Sequence, residues 1–250
     1  MMSMDQVTVL ITGASRGVGA AIARKCAEHG AKLILHYGQN HAAMAQLKTE
    51  LGTAVLGNFS VDLSKPGAGH ELWDKAVTIS GNINALVNNA GIAISVPFSD
   101  DDDHWQSGWN TTMAVNLQAP ADLCHRAVTS FGANTGGRIV NIASRAGQRG
   151  DHMDFAAYAA SKAALIALTQ TIAKGAAKNN VTAYSIAPGW IDTDMAPDDP
   201  KTRAAAMAEI PLGRFADPQE IAALTAFLLS GSCPSSSGAT FDINGASYLR

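Results

Sequence analysis

Seven short apolar runs punctuate the chain, at residues 7–11, 33–35, 54–61, 85–87, 139–142, 181–186 and 239–243. Between them lie longer stretches with apolar residues three or four apart. Val18, Ala21, Ile22 and Cys26 form one such stripe, and Ala164, Leu165, Leu168, Ile172 and Ala176 another. Strands that read as near-continuous apolar runs suit a parallel sheet covered on both faces. Strict strand–helix alternation then predicts a doubly wound α/β fold, here a seven-stranded, mainly parallel sheet with helices on both faces. Nothing in the 250 residues marks a linker, a repeat or a shift of composition, so one domain over residues 1–250 is expected.

Composition removes several function classes. The chain is 47% hydrophobic and 16% charged, which is far from a disordered composition. A net charge of −3 offers no basic excess for nucleic acid. No apolar run approaches ~18 residues, so no membrane span is expected. The first residues have no basic n-region before an apolar stretch, so no signal peptide is expected. Cys26, Cys124 and Cys233 are odd in number and widely spaced, which predicts free thiols, no metal site and a cytoplasmic protein. The acidic run at 99–103 reads as a helix N-terminus, where carboxylates meet the helix dipole.

The first apolar run leads into Thr12-Gly13-Ala14-Ser15-Arg16-Gly17-Val18-Gly19 and then into a helix. Glycines between a strand and a helix permit a tight turn, a close approach of backbone to pyrophosphate, and close helix–strand packing. The free N–H groups of the helix N-terminus then face the phosphates. Gly13, Ser15, Arg16, Gly17, Val18 and Gly19 are therefore candidate cofactor-binding residues. An NAD site usually ends its second strand with a carboxylate that bonds the ribose 2′-hydroxyl. Here that strand ends His36-Tyr37-Gly38-Gln39-Asn40. No carboxylate repels a 2′-phosphate, Arg16 supplies a positive charge, and Ser15, Gln39 and Asn40 supply donors. NADP is therefore expected, with NAD as the alternative.

Tyr158 and Lys162 stand four residues apart in an Ala-rich helical stretch, on one helix face. A tyrosine titrating near ~10 is a poor acid or base at neutral pH; a nearby ammonium favours the phenolate. The pair is a candidate acid/base. Ser144 follows the fifth run, at the carboxyl end where open α/β sheets bind ligands. Asn88-Asn89-Ala90-Gly91 follows the fourth run in the same kind of place, and Asn116 lies on the next helix.

These motifs, in this order, resemble the short-chain dehydrogenase/reductase family, whose ~250-residue members use one Rossmann domain. The resemblance runs from Val7 to about Gly245. It implies Tyr158 as acid in reduction and base in oxidation. It implies that Lys162 lowers the tyrosine pKa and holds the nicotinamide ribose. Ser144 would bond the substrate oxygen, and Asn116 would bind a water in a proton relay. Tyr37, Gln39, Asn40, Asp62 and Leu63 would lie along the adenosine half, with Asn89, Ala90 and Gly91 at its ribose. Pro188, Gly189, Ile191 and Thr193 would contact the nicotinamide end. The stretches Pro211-Leu212-Gly213-Arg214-Phe215 and Gly238-Ala239-Thr240-Phe241-Asp242-Ile243-Asn244-Gly245 resemble the 3-oxoacyl-acyl-carrier-protein reductase branch.

The chain departs from that branch in places. Ser144 and Tyr158 are 14 positions apart, one more than usual, and the intervening loop carries Arg145 and Arg149, which would favour a polar or anionic substrate, the alternative being a solvated loop or a subunit contact. Tyr184 stands where Asn is usual, and Gly175 where Glu is. Residues 127–137 contain no Lys or Arg, where a carrier protein would want a basic surface. Residues 194–210 are expected to form a mobile lid. Ile92, Ile94, Gln148, Met153, Phe155, Trp190 and Met195 are expected around the substrate, a small carbonyl compound or alcohol. The resemblance also implies a homotetramer or homodimer packed through the Tyr158 helix. The alternative functions are an NAD-dependent dehydrogenase of a sugar, polyol or other secondary alcohol, and a non-catalytic nucleotide-sensing protein.

Overall fold

The computed structural model describes residues 3–250. Its strands are β1 (Thr8–Ile11), β2 (Lys32–Tyr37), β3 (Val55–Ser60), β4 (Ala85–Asn88), β5 (Gly137–Ile142), β6 (Val181–Pro188) and β7 (Thr240–Ile243). They form one sheet in the order β3-β2-β1-β4-β5-β6-β7. Every neighbouring pair is parallel. Each of the seven apolar runs became a strand. The second run extended from three residues to six because His36 and Tyr37, which break its apolar pattern, are buried in the sheet.

The helices are α1 (Gly17–Glu28), α2 (His41–Leu51), α3 (Ala68–Ser80), α4 (Asp102–Met113) and α5 (Ala119–Ala133). After β5 come α6 (Ala146–Arg149), α7 (Ala156–Ala176), α8 (Pro200–Ala208) and α9 (Pro218–Leu229). Alternate strand residues face opposite sides of a sheet. Val9, Ile11, Leu33 and Leu35 accordingly pack with Ile22 and Cys26 of α1, Met44 of α2 and Ile221 of α9. Leu10, Ile34 and Leu86 pack on the other side with Leu72 and Trp73 of α3, Leu123 and Phe131 of α5, and Ala173 of α7. The acidic run opens α4: Asp101 caps it by accepting the His104 N–H, and Asp102 and Asp103 occupy its first turn. Among the described residues no helix is long and apolar enough to cross a membrane.

Strand order reverses between β1 and β4, the crevice where open α/β sheets bind ligands. Beneath α7 a buried polar chain ties that helix to the sheet. The Asn88 amide donates to Asn141 Oδ1 (2.8 Å), the Asn141 amide to Thr169 Oγ1 (2.8 Å), and the Ser185 hydroxyl to the same Thr169 oxygen (2.9 Å). In a dry interior such a chain fixes position, because any slippage leaves a donor unpaired.

Candidate active site

The glycine loop leaves β1 at the sheet's carboxyl edge and enters α1 at Gly17. Gly19 lies against the Gly13 carbonyl and, at 2.6 Å from where a Cβ would sit, the Asn89 amide; a side chain there would collide with backbone. The α1 N-terminus differs from those of α2, α4, α8 and α9. Asn40, Asp101, Asp199 and Asp217 cap α2, α4, α8 and α9 with side-chain oxygens. Arg16 at the α1 N-cap makes no such bond, and the first turn holds no acid. Its N–H groups and positive dipole end are left for an anion.

The loop after β4 is bound to the glycine loop. The Thr12 hydroxyl accepts the N–H groups of Asn89 and Ala90, each at 3.0 Å, and the Asn89 amide donates to the carbonyls of Thr12 (2.9 Å) and Gly13 (3.1 Å). Asn89 and Ala90 thus stand beside Gly13, and Asn89 beside Gly19.

Along the adenosine side the candidates have partners of their own. Tyr37 is buried and its hydroxyl meets His41 Nδ1 at 3.0 Å. Asn40 caps α2, accepting the Ala43 N–H, while Gln39 is exposed. Asp62 accepts both the N–H and the hydroxyl of Ser64, which hold its carboxyl below the usual range. Leu63 is buried beside it. Arg16 is exposed and pairs with Asp194 at 3.1 Å. The structure thus sets the cation expected at the 2′-position against a carboxylate from residues 194–210.

Tyr158 and Lys162 lie one turn apart near the start of α7, and Ser144 follows β5. The Lys162 ammonium is buried, donates to the Ile142 carbonyl at 2.8 Å, and lies 5.8 Å from the Tyr158 ring centroid. Burial pulls its pKa from 10.5 to about 8. Tyr158 keeps part of its surface open, yet protein atoms crowd its phenol, and that desolvation raises its pKa. A hydrogen bond with Ser144 opposes the rise, and the Asp151 charge adds to it. Desolvation therefore prevails over the lowering expected of the ammonium, and the phenol is held as a neutral donor. Ser144 also accepts the Ala146 N–H at 3.1 Å, so it serves as a turn residue and a tyrosine partner together.

Asn116 sits in a π-helical turn, Ala114–Gln118, that joins α4 to α5. Its side chain is fully engaged: Oδ1 accepts the Ile92 N–H at 2.9 Å, and Nδ2 donates to the Ile92 carbonyl at 2.8 Å and the Ser161 hydroxyl at 3.1 Å. It fastens the loop after β4 to α7. Gly91 lies between: a Cβ there would stand 3.2 Å from Lys162 Nζ and 3.4 Å from Asn116 Oδ1. Gly91, Asn116 and Lys162 are therefore one cluster.

Pro188 ends β6, and the Gly189 N–H bonds the Ile243 carbonyl at 2.9 Å. Ile191 pairs with Ala216, and the Thr193 side chain covers Gly17, 3.4 Å from where its Cβ would be. This segment closes over the glycine loop. Residues 194–210 contain α8, and Ala196, Ala206 and Ile210 pack with Trp190 and Phe215 in a small separate core. Arg203 lies 4.6 Å from the Phe215 ring centroid and pairs with Asp192 at 2.6 Å. The two loop arginines serve the loop: Arg145 is buried, bonds Ser247, and shares Glu209 with Arg149, each at 3.5 Å. Gln148 is likewise drawn to Asp242 of β7, at 3.0 Å.

Sequence reasoning missed Thr12 and His36. Thr12 carried a signal, since it stands directly before Gly13. His36 read as a polar break in a strand. In the structure its Nδ1 accepts the Gly13 N–H at 3.2 Å and its Nε2 meets the Val61 carbonyl at 2.9 Å.

The family model described as Enoyl-(Acyl carrier protein) reductase matches residues 13–245. A 3-oxoacyl-(acyl-carrier-protein) reductase of Vibrio cholerae is 33% identical over 99% of this chain and 100% of its own length. An acetoacetyl-CoA reductase of Shinella zoogloeoides is 34% identical over 96% and 98%. Among solved structures, a blue fluorescent protein from a metagenomic library in complex with NADPH superposes with a TM-score of 0.89 at 30% identity, covering 97% of this chain and 98% of its own. A 3-oxoacyl (acyl-carrier-protein) reductase from Agrobacterium tumefaciens C58 with NADP bound gives 0.90 at 32% identity, covering 98% and 95%. Similarity that runs the length of both partners, in sequence and in fold, means that this chain belongs to the short-chain dehydrogenase/reductase family.

Proposed function

We propose that the protein is an NADP(H)-dependent reductase of a carbonyl group, working in reverse as a secondary-alcohol dehydrogenase, with Tyr158 as the acid/base. The observation that carries this reading is Tyr158 one helical turn from buried Lys162, whose ammonium lies 5.8 Å from the tyrosine ring centroid, beside Ser144 at the sheet edge that also presents the uncapped α1 N-terminus.

The residues fit a phosphorylated dinucleotide. The α1 N–H groups have no side-chain acceptor, the second strand ends without a carboxylate, and Arg16 lies beside that helix end. When bound, the nicotinamide supplies the hydride. Gly13, Ser15, Gly17, Val18 and Gly19 would hold the pyrophosphate side. Tyr37, Gln39, Asn40, Asp62 and Leu63 would flank the adenosine, Asn89, Ala90 and Gly91 its ribose, and Pro188, Gly189, Ile191 and Thr193 the nicotinamide.

In reduction, Ser144 and Tyr158 both direct hydroxyl donors at the substrate oxygen, where negative charge develops. Tyr158, held neutral by desolvation, gives up its proton to that oxygen. This suits a C=O group, whose oxygen receives the proton, rather than a C=C bond, whose carbon does. Lys162 still holds its proton at neutral pH, and its cation stabilises the phenolate left behind. Asn116 positions Ser161 and the loop carrying Gly91, keeping the lysine end of α7 in register.

The substrate class is a ketone, such as the acyl thioester ketones named in the relatives. Residues 194–210 would act as the lid, held to the cofactor loop through Arg16 and Asp194. A homotetramer or homodimer is favoured by the exposed small residues Ala160, Ala163 and Ala167 on α7, which permit close approach of a second copy.

Tyr158→Phe tests the reading. Ketone reduction should fall at least about 100-fold while NADPH affinity stays within about 3-fold of the parent, since only the acid is removed. Undiminished turnover would refute the assigned role. An NAD-dependent dehydrogenase is indicated instead if NADH binds more tightly than NADPH.

A further inference from the structure

His36 lies inside the sheet, and both ring nitrogens meet backbone groups whose roles are fixed. The Gly13 N–H only donates, so Nδ1 must be bare; the Val61 carbonyl only accepts, so Nε2 must carry the hydrogen. One tautomer of the neutral ring satisfies both. The residue's main chain adds a second tie to the glycine loop, since the Ala14 N–H bonds the His36 carbonyl at 2.8 Å. Gly13 has a positive φ of 64° and would bring a Cβ within 2.9 Å of Ala90, so its position sets the gap between the two cofactor loops. Val61 stands directly before Asp62 and Leu63. A single imidazole thus spans the pyrophosphate loop and the adenosine wall.

We propose that His36 is a positioning residue for the dinucleotide, and that protonating its ring loosens the Gly13 loop and weakens cofactor binding. The inference rests on the dinucleotide reading above. A protonated ring directs an N–H at the Gly13 N–H, donor against donor, in a place only 2% exposed. The surrounding titratable groups are otherwise engaged. On the glycine loop, Arg16 pairs with Asp194. Beyond β3, Asp62 holds Ser64 and lies 4.0 Å from Lys65. At the β2–α2 junction, Tyr37 bonds His41. β1, β4 and the Asn88–Gly91 turn carry no charged residue. Burial holds the ring below its ordinary pKa of 6.5, against a smaller opposing effect of the Val61 carbonyl, so the change falls on the acid side of that value.

The test is calorimetric titration with NADP+, which withstands acid, at pH 7.5 and 5.5. The parent protein should bind several-fold more weakly at pH 5.5 than at 7.5. His36→Asn keeps an acceptor for Gly13 but does not titrate. It should bind more weakly than the parent at pH 7.5, because the Val61 tie is lost, and lose most of the acid step. Any remainder belongs to the 2′-phosphate, which both proteins share. An acid step in His36→Asn equal to the parent's overturns the proposal. A second readout needs no variant: nitrogen NMR of the parent ring should give a midpoint about one pH unit lower with NADP+ bound, since by linkage that shift is the affinity ratio of the neutral and fully protonated rings, of which pH 5.5 reads a part. An identical midpoint with and without NADP+ overturns it. Failure of the parent to bind NADP+ or NAD+ at pH 7.5 overturns the functional reading and this inference together. Binding with an unchanged acid step in the variant overturns the inference alone.

Discussion

Lys162 carries a cost that can be measured without any substrate. Its ammonium is 4% exposed and donates to one carbonyl, that of Ile142. Burial lowers its pKa from 10.5 to about 8, and at ~1.36 kcal/mol per pH unit that corresponds to roughly 3 kcal/mol of destabilisation while the lysine is charged in both states. Lys162→Met removes the buried charge but leaves the Ile142 carbonyl unpaired, which costs about 1–3 kcal/mol. The two effects nearly cancel at neutral pH, so the diagnostic quantity is the slope. Above about pH 8 the folded protein has released this proton and the unfolded chain keeps it until about 10.5. Stability rises with pH wherever the unfolded state binds more protons. The parent should therefore gain about 2 kcal/mol over Lys162→Met between roughly pH 8 and 9.5. Urea unfolding of both cofactor-free proteins at the two pH values reads that difference directly. A parent-minus-variant difference that stays constant refutes the assignment of a buried, desolvated cation.

Two further outcomes follow from named contacts. Arg16→Ala should weaken NADPH binding about 2–30-fold and leave NADH unchanged: a charged hydrogen bond to the 2′-phosphate contributes about 1.5–3 kcal/mol, less about 1 kcal/mol for breaking the exposed pair with Asp194. Asp194→Asn should instead tighten NADPH by a factor of up to about 5; equal effects on both nucleotides would remove Arg16 from the 2′-position. Thr169→Val keeps the shape of the side chain but strands the Asn141 amide and the Ser185 hydroxyl. It should cost about 2–4 kcal/mol in urea unfolding, and a loss below about 0.5 kcal/mol would show that the network under α7 does not hold it.

The sequence by itself determined the layered sheet and marked the candidate site residues. Period-2 and period-3.6 patterns of apolar residues are local consequences of strand and helix geometry. Glycines before a helix, and Tyr158 with Lys162 one turn apart, are likewise legible from spacing alone. Strand centres were legible, while ends were missed at β2, where His36 is buried but polar, at β5, which begins at Gly137, and at β6, which runs on through Pro188.

Only the tertiary structure decided what each polar group meets. The sequence left Arg145 and Arg149 open between a substrate-facing role and a loop or subunit contact, and both turn to Glu209, which comes from beyond α8. Asn116 is committed to Ile92 and Ser161 from two other elements, and Arg16 to a carboxylate 178 residues away in sequence. Desolvation is also a property of the fold: it holds Tyr158 neutral, although its ammonium neighbour alone suggested the opposite. Hydrogen-bond partners and local dielectric are set by atoms distant in the chain, whereas hydrophobic periodicity is set by neighbours. That difference is why the sequence specified the scaffold and named the candidate site residues, while the fold decided which groups desolvate them and which backbone groups His36 meets.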